Sequence, residues 1–211
     1  ANTTGANNVA VGSAALDANT TANDNVALGS SALTANTTGN ANVAVGKGSL
    51  AANTTGDRNV AVGLNALTAQ NPGSNADMYN TAVGYAAGTS VTTGTNNTLI
   101  GGLAGDAITT GANNASVGKG SMSATTTGSA NAALGVDAML SNTTGNSNTA
   151  LGFQALDANT TGGQNVAVGD NALGANTTAN YNTALGTSTL QLNTTGANNV
   201  ATGAFSLTAN T

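Results

Sequence analysis

The chain has 211 residues, of which 5% are charged and 2% aromatic, and it contains no His, Cys, Trp or Glu. Lys47, Arg58 and Lys119 are the only cations and the net charge is −5, so no basic stripe for a nucleic-acid backbone can be built. Without His and Cys no nucleophile–base pair can be assembled, and no apolar run approaches the length of a membrane span.

A 17-residue phrase organises the whole chain. Asn recurs at Asn8, Asn25, Asn42, Asn59, Asn80, Asn97, Asn114, Asn131, Asn148, Asn165, Asn182 and Asn199. Gly follows four residues later in each copy, at Gly12, Gly29, Gly46, Gly63, Gly84, Gly101, Gly118, Gly135, Gly152, Gly169, Gly186 and Gly203. Every step is 17 residues except one of 21. A fixed period this short is that of a solenoid in which one repeat is one rung. Low charge with abundant Asn, Thr and Gly could suit a disordered tract, but such a tract has no need to hold apolar residues in register. Residues 1–211 therefore read as one repeat domain. It starts and stops inside the phrase, as a segment of a longer fibre would.

Within a rung, Val43-Ala44-Val45 alternates large, small, large, which predicts a short strand. Gly46 turns a corner, where positive φ or crowding between backbones favours Gly. Leu50 supplies a second apolar point, matched by Leu16, Leu33, Leu67, Leu156, Leu173, Leu190 and Leu207, with Met122 and Met139 in two rungs. A Thr-Thr-Gly run then closes the rung. Helix does not compete, since a 3.6-residue period does not fit and Asn, Thr and Gly are poor helix formers. Stacking at about 4.8 Å makes a rod of roughly 55–60 Å. The Asn column is expected either to form an amide ladder along the stack or to satisfy a backbone group at its own corner. The small middle residue of the strand, as in Ala10, Ala27, Ala44 and Ala61, is expected to point away from the core and admit a neighbouring chain; the other reading places it in a narrow core.

The pattern breaks once. The 21-residue step holds an insertion at 74–79, preceded by Pro72, the only proline. In the next two rungs Gly88 and Gly105 stand at the Leu position, with Val91 and Ile108 three residues later. This predicts apolar volume moved along the rung. Met78, Tyr79 and Tyr85 around the inserted corner form a candidate contact patch, because loops on rigid scaffolds carry function. A tolerated insertion is the plainer explanation.

Little chemistry is offered elsewhere. The eight acids are scattered over different rung positions, so no carboxylate pair recurs. Gly101-Gly102-Leu103-Ala104-Gly105-Asp106 is the nearest approach to a calcium-binding repeat and occurs once. No catalytic residue, metal site or cofactor is expected. The Asn-Thr-Thr triplets match an N-glycosylation pattern but are read as rung geometry.

The phrase Asn42-Val43-Ala44-Val45-Gly46, two free positions, then Ser49-Leu50 resembles the head repeat of trimeric autotransporter adhesins of the YadA type. The longer form, from Asn148-Thr149-Ala150-Leu151-Gly152 to Asn159-Thr160-Thr161-Gly162, is similar to repeats in phage tail fibres and related large fibre proteins. The resemblance implies an all-β, parallel β-solenoid or β-roll of about twelve rungs, left-handed and packed as a homotrimer. It implies an extracellular fibre on a cell or virion surface, whose partners are further copies of itself and a surface receptor, protein or glycan, with no nucleic acid and no membrane insertion. Two alternatives stand beside it: an ice-binding solenoid using a Thr ladder, and a self-assembling filament without a receptor.

Overall fold

Three residues after each ladder Asn carry β-branched and small side chains that suit a pleated strand, and the Gly that follows stops the strand there. The computed structural model describes residues 2–210 and contains fourteen short strands and no helix among them. In chain order these are β1 (Val9–Val11), β2 (Val26–Leu28), β3 (Val43–Val45), β4 (Gly56–Asp57), β5 (Val60–Val62), β6 (Ala76–Asp77), β7 (Thr81–Val83), β8 (Thr98–Ile100), β9 (Ala115–Val117), β10 (Ala132–Leu134), β11 (Thr149–Leu151), β12 (Val166–Val168), β13 (Thr183–Leu185) and β14 (Val200–Thr202). Twelve of them form one parallel sheet, with β4 and β6 apart in a sheet of two. Each rung lies on the next in strict register: Val43, Ala44 and Val45 pair with Val60, Ala61 and Val62. The chain is a parallel β-solenoid.

The strands face the opposite way from the expectation. Ala27, Ala44, Ala61, Ala82, Ala150, Ala167 and Ala184 are buried in the rung's own core, while the Val, Leu and Thr residues on either side point outward. The reason is room. Leu33, Leu50, Leu67, Leu156, Leu173 and Leu190 reach in from the opposite wall and are completely buried, which leaves space for only a methyl group on the sheet side. The rungs with Gly88 and Gly105 show the same rule in reverse. In the Gly105 rung Leu99 takes the middle strand position, while Ala82 keeps it in the Gly88 rung, and a Cβ on Gly88 would lie 2.6 Å from Leu99 Cδ1. Val91 and Ile108 are also fully buried, so the apolar volume has moved along the rung as predicted. A polar layer of Ser116, Ser121 and Thr125 then divides the core into two clusters, one from Leu16 to Ile108 and one from Met122 to Ala201.

Corners dominate the backbone. Gly29 has φ 135°, and a Cβ there would sit 2.7 Å from the carbonyl carbon of Gly46 in the next rung, so its column admits no side chain. Three further columns take left-handed φ with ordinary residues: the residue before the ladder Asn, the second residue after the corner Gly, and the core Leu itself, as in Leu50 at φ 49°. The left-handed region costs an L-residue roughly 1–2 kcal/mol, and the stack holds many such residues in place. At the insertion, β6 pairs with β4 and Thr55 Oγ1 donates to the Ser74 carbonyl at 2.8 Å, so the extra residues are tied to the rung below.

Ala130, exposed at φ 58°, gives a direct test. Ala130→Gly should stabilise the chain by about 1 kcal/mol by removing the Cβ clash, read as a higher chemical-denaturation midpoint. Ala133→Gly, at a buried strand position, should lower the midpoint by a similar amount, because there Gly costs about 0.5–1 kcal/mol and loses a packed methyl group.

Candidate functional site

The Asn column from Asn8 to Asn199 runs unbroken along the stack, each Asn just before its strand. Asn42 shows its geometry. Its backbone N–H and its Nδ2 donate to Asn25 Oδ1 at 2.9 and 3.2 Å. Its own Oδ1 accepts from the Asn59 N–H and Nδ2, both at 3.0 Å. Its Nδ2 also donates to the Gly56 carbonyl at 2.9 Å, fourteen residues on. One amide therefore both joins its neighbours along the axis and clamps the second corner of its own rung.

A second amide ladder runs beside the first. Asn53 Nδ2 donates to Asn36 Oδ1 at 3.3 Å and to the Gly56 carbonyl at 2.9 Å, while the Gly56 N–H donates back to Asn53 Oδ1 at 3.1 Å. The Gly56 carbonyl thus accepts from both ladders, which uses both of its lone pairs. The same double acceptance occurs at Gly39, Gly145, Gly162, Ala179 and Gly196. These Asn residues head the Asn-Thr-Thr triplets. Asn19, Asn36, Asn53, Asn142, Asn159, Asn176 and Asn193 are buried, and their Nδ2 atoms are engaged in the ladder and its corner carbonyls, while Asn2 is exposed. The ladder role was legible in principle, since the column lapses at Val91 and Ile108, where Gly replaces Leu; an amide and a core hydrocarbon exchange places there. Gln70 partly continues it by accepting from Asn80 Nδ2 at 3.0 Å, and its own Nε2 lacks a partner.

The Thr columns differ from one another. The first Thr of most pairs donates its hydroxyl to the next rung, as Thr143 does to the Thr160 carbonyl at 2.9 Å and Thr37 to the Thr54 carbonyl at 3.1 Å. The second Thr, as in Thr38, Thr93, Thr110, Thr127, Thr144, Thr161 and Thr178, is exposed.

The three residues proposed around the insertion separate. Met78 is buried at 1% exposure and belongs to the rung interior, which removes it from any surface patch. Tyr79 is 52% exposed and Tyr85 is 59% exposed, but they stand at opposite ends of β7. Tyr79 instead groups with Arg58 and Asp77. Arg58 and Asp77 form an ion pair, the Tyr79 hydroxyl donates to Asp77 Oδ2 at 3.2 Å, and the Arg58 guanidinium lies 5.9 Å from the Tyr79 ring centre. Surface pairs of this kind add little stability. This group holds the inserted corner and leaves the tyrosine accessible.

The surface feature that sequence reasoning turned inside out is the outer face of the sheet. Val9, Val11, Leu28, Ile100, Leu134, Leu151, Leu185 and Val200 are exposed along it, up to 72% at Val200. Leu64, Tyr85, Val136 and Phe153, at the corner beside the sheet, add to the same side. Such a strip lies toward the upper end of the apolar patches that monomers expose, and patches of that size often carry function.

Two acids are strained by their surroundings. Burial raises Asp106 and Asp157 above the ordinary value of 3.8, against the lowering effect of the backbone amides beside them, and the charge of Asp137 adds to the rise at Asp157. One carboxylate oxygen of each is buried without a partner. Among the described residues no three acids gather as metal ligands. No protein-family model, curated protein or solved structure matches the chain.

Two outcomes follow from this geometry. Asn42→Ala orphans the buried Asn59 N–H and should cost about 3 kcal/mol, whereas Asn146→Ala, at an exposed position that accepts from the Ser129 N–H, should cost about 1 kcal/mol or less; denaturation midpoints compare them. For Asp157 a raised folded-state value means that ionisation opposes folding. Stability is highest below the ordinary carboxylate range and falls as pH rises through the raised value. Asp157→Asn should therefore stabilise the chain at pH 7, and its advantage should vanish near pH 3, as read from thermal midpoints at the two pH values.

Proposed function

We propose that the chain is a rigid segment of an extracellular fibre, a homotrimeric and adhesive rod in the manner of the YadA-type heads and phage tail-fibre repeats that its phrase resembles. The observation that supports this reading is the apolar outer sheet face. A lone chain leaves that face in water, whereas parallel copies packed around a common axis cover it. The free corners then point outward in threefold repetition. The columns of Tyr79 and Phe205 vary from rung to rung where the scaffold is constant, and contacts that are weak singly add through avidity. Tyr79 is the residue assigned to receptor contact, since it is exposed at the one irregular corner and held there by Asp77 and Arg58. The partners are further copies of this chain and a protein or glycan receptor on a cell surface; the place of action is outside the cell or on a virion.

The exposed second Thr column supports ice binding as a second reading, because equivalent hydroxyls recur in most rungs, with Pro72 interrupting the row. It is the weaker one: the neighbouring Thr column spends its hydroxyls on the next rung, which leaves a single row. A filament without a receptor differs only in lacking the corner contacts.

Sedimentation of the purified chain tests the fibre reading. Particles of three chain masses at micromolar concentration are expected; a monomer at all concentrations would overturn it. On the intact assembly, Tyr79→Ala should reduce attachment to target cells by about tenfold or more through lost avidity. Thermal hysteresis that disappears on Thr127→Lys and Thr144→Lys would instead favour the ice-binding solenoid.

A further inference from the structure

Each rung of a solenoid is held by what it shares with its neighbours, so the stack is cooperative only as far as those shared contacts continue. At a regular junction the interior columns match. Ala44 lies on Ala61, Leu50 on Leu67, and Asn53 Nδ2 donates to Asn36 Oδ1 at 3.3 Å. Apolar and amide contacts then run on together from one rung to the next.

These columns change at once where the rung of Asn97 meets the rung of Asn114. Ser116 pairs with Leu99 in the strand column, and Ser121 follows Ala104 in the column before the core Leu position. Thr125 follows Ile108 where the second ladder would place an Asn. All three hydroxyl residues are completely buried. They bond on their own side of the junction. Ser116 Oγ donates to the Ser121 carbonyl at 2.9 Å and pairs with Ser121 Oγ, while Thr125 Oγ1 accepts from Asn142 Nδ2 of the following rung at 3.5 Å. Accordingly, one apolar cluster ends at Ile108 and the other begins at Met122.

The second amide ladder gives no support here. The corner carbonyls of Gly94, Gly111 and Gly128 accept from the first ladder, at 2.7, 2.9 and 2.9 Å, in rungs that carry Val91, Ile108 and Thr125 in place of the second Asn. Contacts that do cross the junction are polar. Backbone pairing sets Leu99 against Ser116, Asn114 N–H donates to Asn97 Oδ1 at 3.0 Å, and the Thr109 hydroxyl donates to the Thr126 carbonyl at 3.1 Å. Such bonds hold the register, but their net stabilisation is small, because water supplies equivalents to the unfolded chain. Burial of apolar surface is the larger driving force, and at this junction it is interrupted.

We infer that the chain consists of two cooperative units, residues 2–113 and 114–210, and that the Ser116–Ser121–Thr125 layer is the yield point between them. Repeat arrays lose all-or-none unfolding where a neighbour contact weakens, and the parts then open as separate foldons. The inference concerns one chain's interior and stands whether or not the fibre reading does. In a rod of any kind it sets where the structure opens first.

Native-state hydrogen exchange of the 211-residue chain in rising guanidinium tests it. Core amides should fall into two opening isotherms that divide at this layer. Thr98 N–H and Gly118 N–H, which donate across it to the Asn114 and Ile100 carbonyls, should exchange with whichever unit opens first. Ser116→Ala with Ser121→Ala and Thr125→Asn installs the residues that the same columns hold at Ala133, Ala138 and Asn142. This variant should merge the isotherms and slow exchange at Thr98 and Gly118 by about tenfold or more. Conversely, Ala150→Ser with Ala155→Ser and Asn159→Thr builds such a layer inside the second unit and should split it. A single isotherm for all core amides of the parent overturns the inference, even if a variant fails to fold. Two isotherms that divide at another rung, or that stay apart in a folded repaired variant, overturn the assignment of the layer.

Discussion

The stack depends on a buried amide column that must be satisfied in two directions at once. An unpaired amide inside a protein costs free energy, and a column of them is tolerable only if each finds partners above, below and beside it. Here the axial partners are the neighbouring Asn residues and the lateral partner is the carbonyl of the second corner. Slipping one rung by a single residue would break both sets. The ladder therefore fixes register more firmly than the three-residue strands could alone, since so short a strand gives few backbone bonds and a weakly specified face. The corner glycines, the left-handed Leu residues and the thin core follow from it, because the chain must return to the same height after 17 residues with its amide in place.

A solenoid of this kind gains its stability from contacts between neighbouring rungs. Where one contact type is withdrawn, another has to be supplied locally. The rungs around the insertion illustrate this. The second amide ladder stops at Gln70, and hydrocarbon from Val91 and Ile108 takes its place, while Leu99 fills what the missing Leu side chains leave empty. Further on, Ser116 Oγ donates to the Ser121 carbonyl at 2.9 Å and forms part of a polar layer between the two halves of the core. The first ladder alone crosses all of these changes. It is the continuous element that lets the side-chain composition of the interior vary without a change of architecture.

The period, the strands, the corners and the site of the irregular step were all legible in the sequence, because each reflects a local requirement: Gly at a crowded corner, β-branched residues in a strand, an apolar residue at a fixed offset. The direction in which the strand faced was not. Val-Ala-Val states that alternate residues share a face, but period two cannot say which face is inside. That choice depends on how far Leu50 reaches across the rung, a tertiary distance with no trace in the local pattern. Met78 was misplaced for a related reason. An inserted segment reads as a loop, yet its last residues rejoin the rung, and Met78 N–H donates to the Asp57 carbonyl at 3.1 Å as it turns inward. Tyr79, one residue later, takes φ 52° and the outward position that its column dictates.

Turning the strand over changes the functional argument more than the structural one. With Ala outside, a neighbouring chain would be admitted by close backbone approach across a smooth small-residue face. With Ala inside, the outer face carries Val, Leu, Ile and Thr of differing bulk, and packing against it requires matched shapes. Smooth faces slide past one another, whereas faces with bulk that differs from rung to rung prefer one height. The narrowness of a 17-residue rung, which drives Ala inward to make room for Leu, is thus also what places the larger residues where they can specify a partner. The same limited interior that fixes the fold of the chain sets the kind of surface it leaves outside.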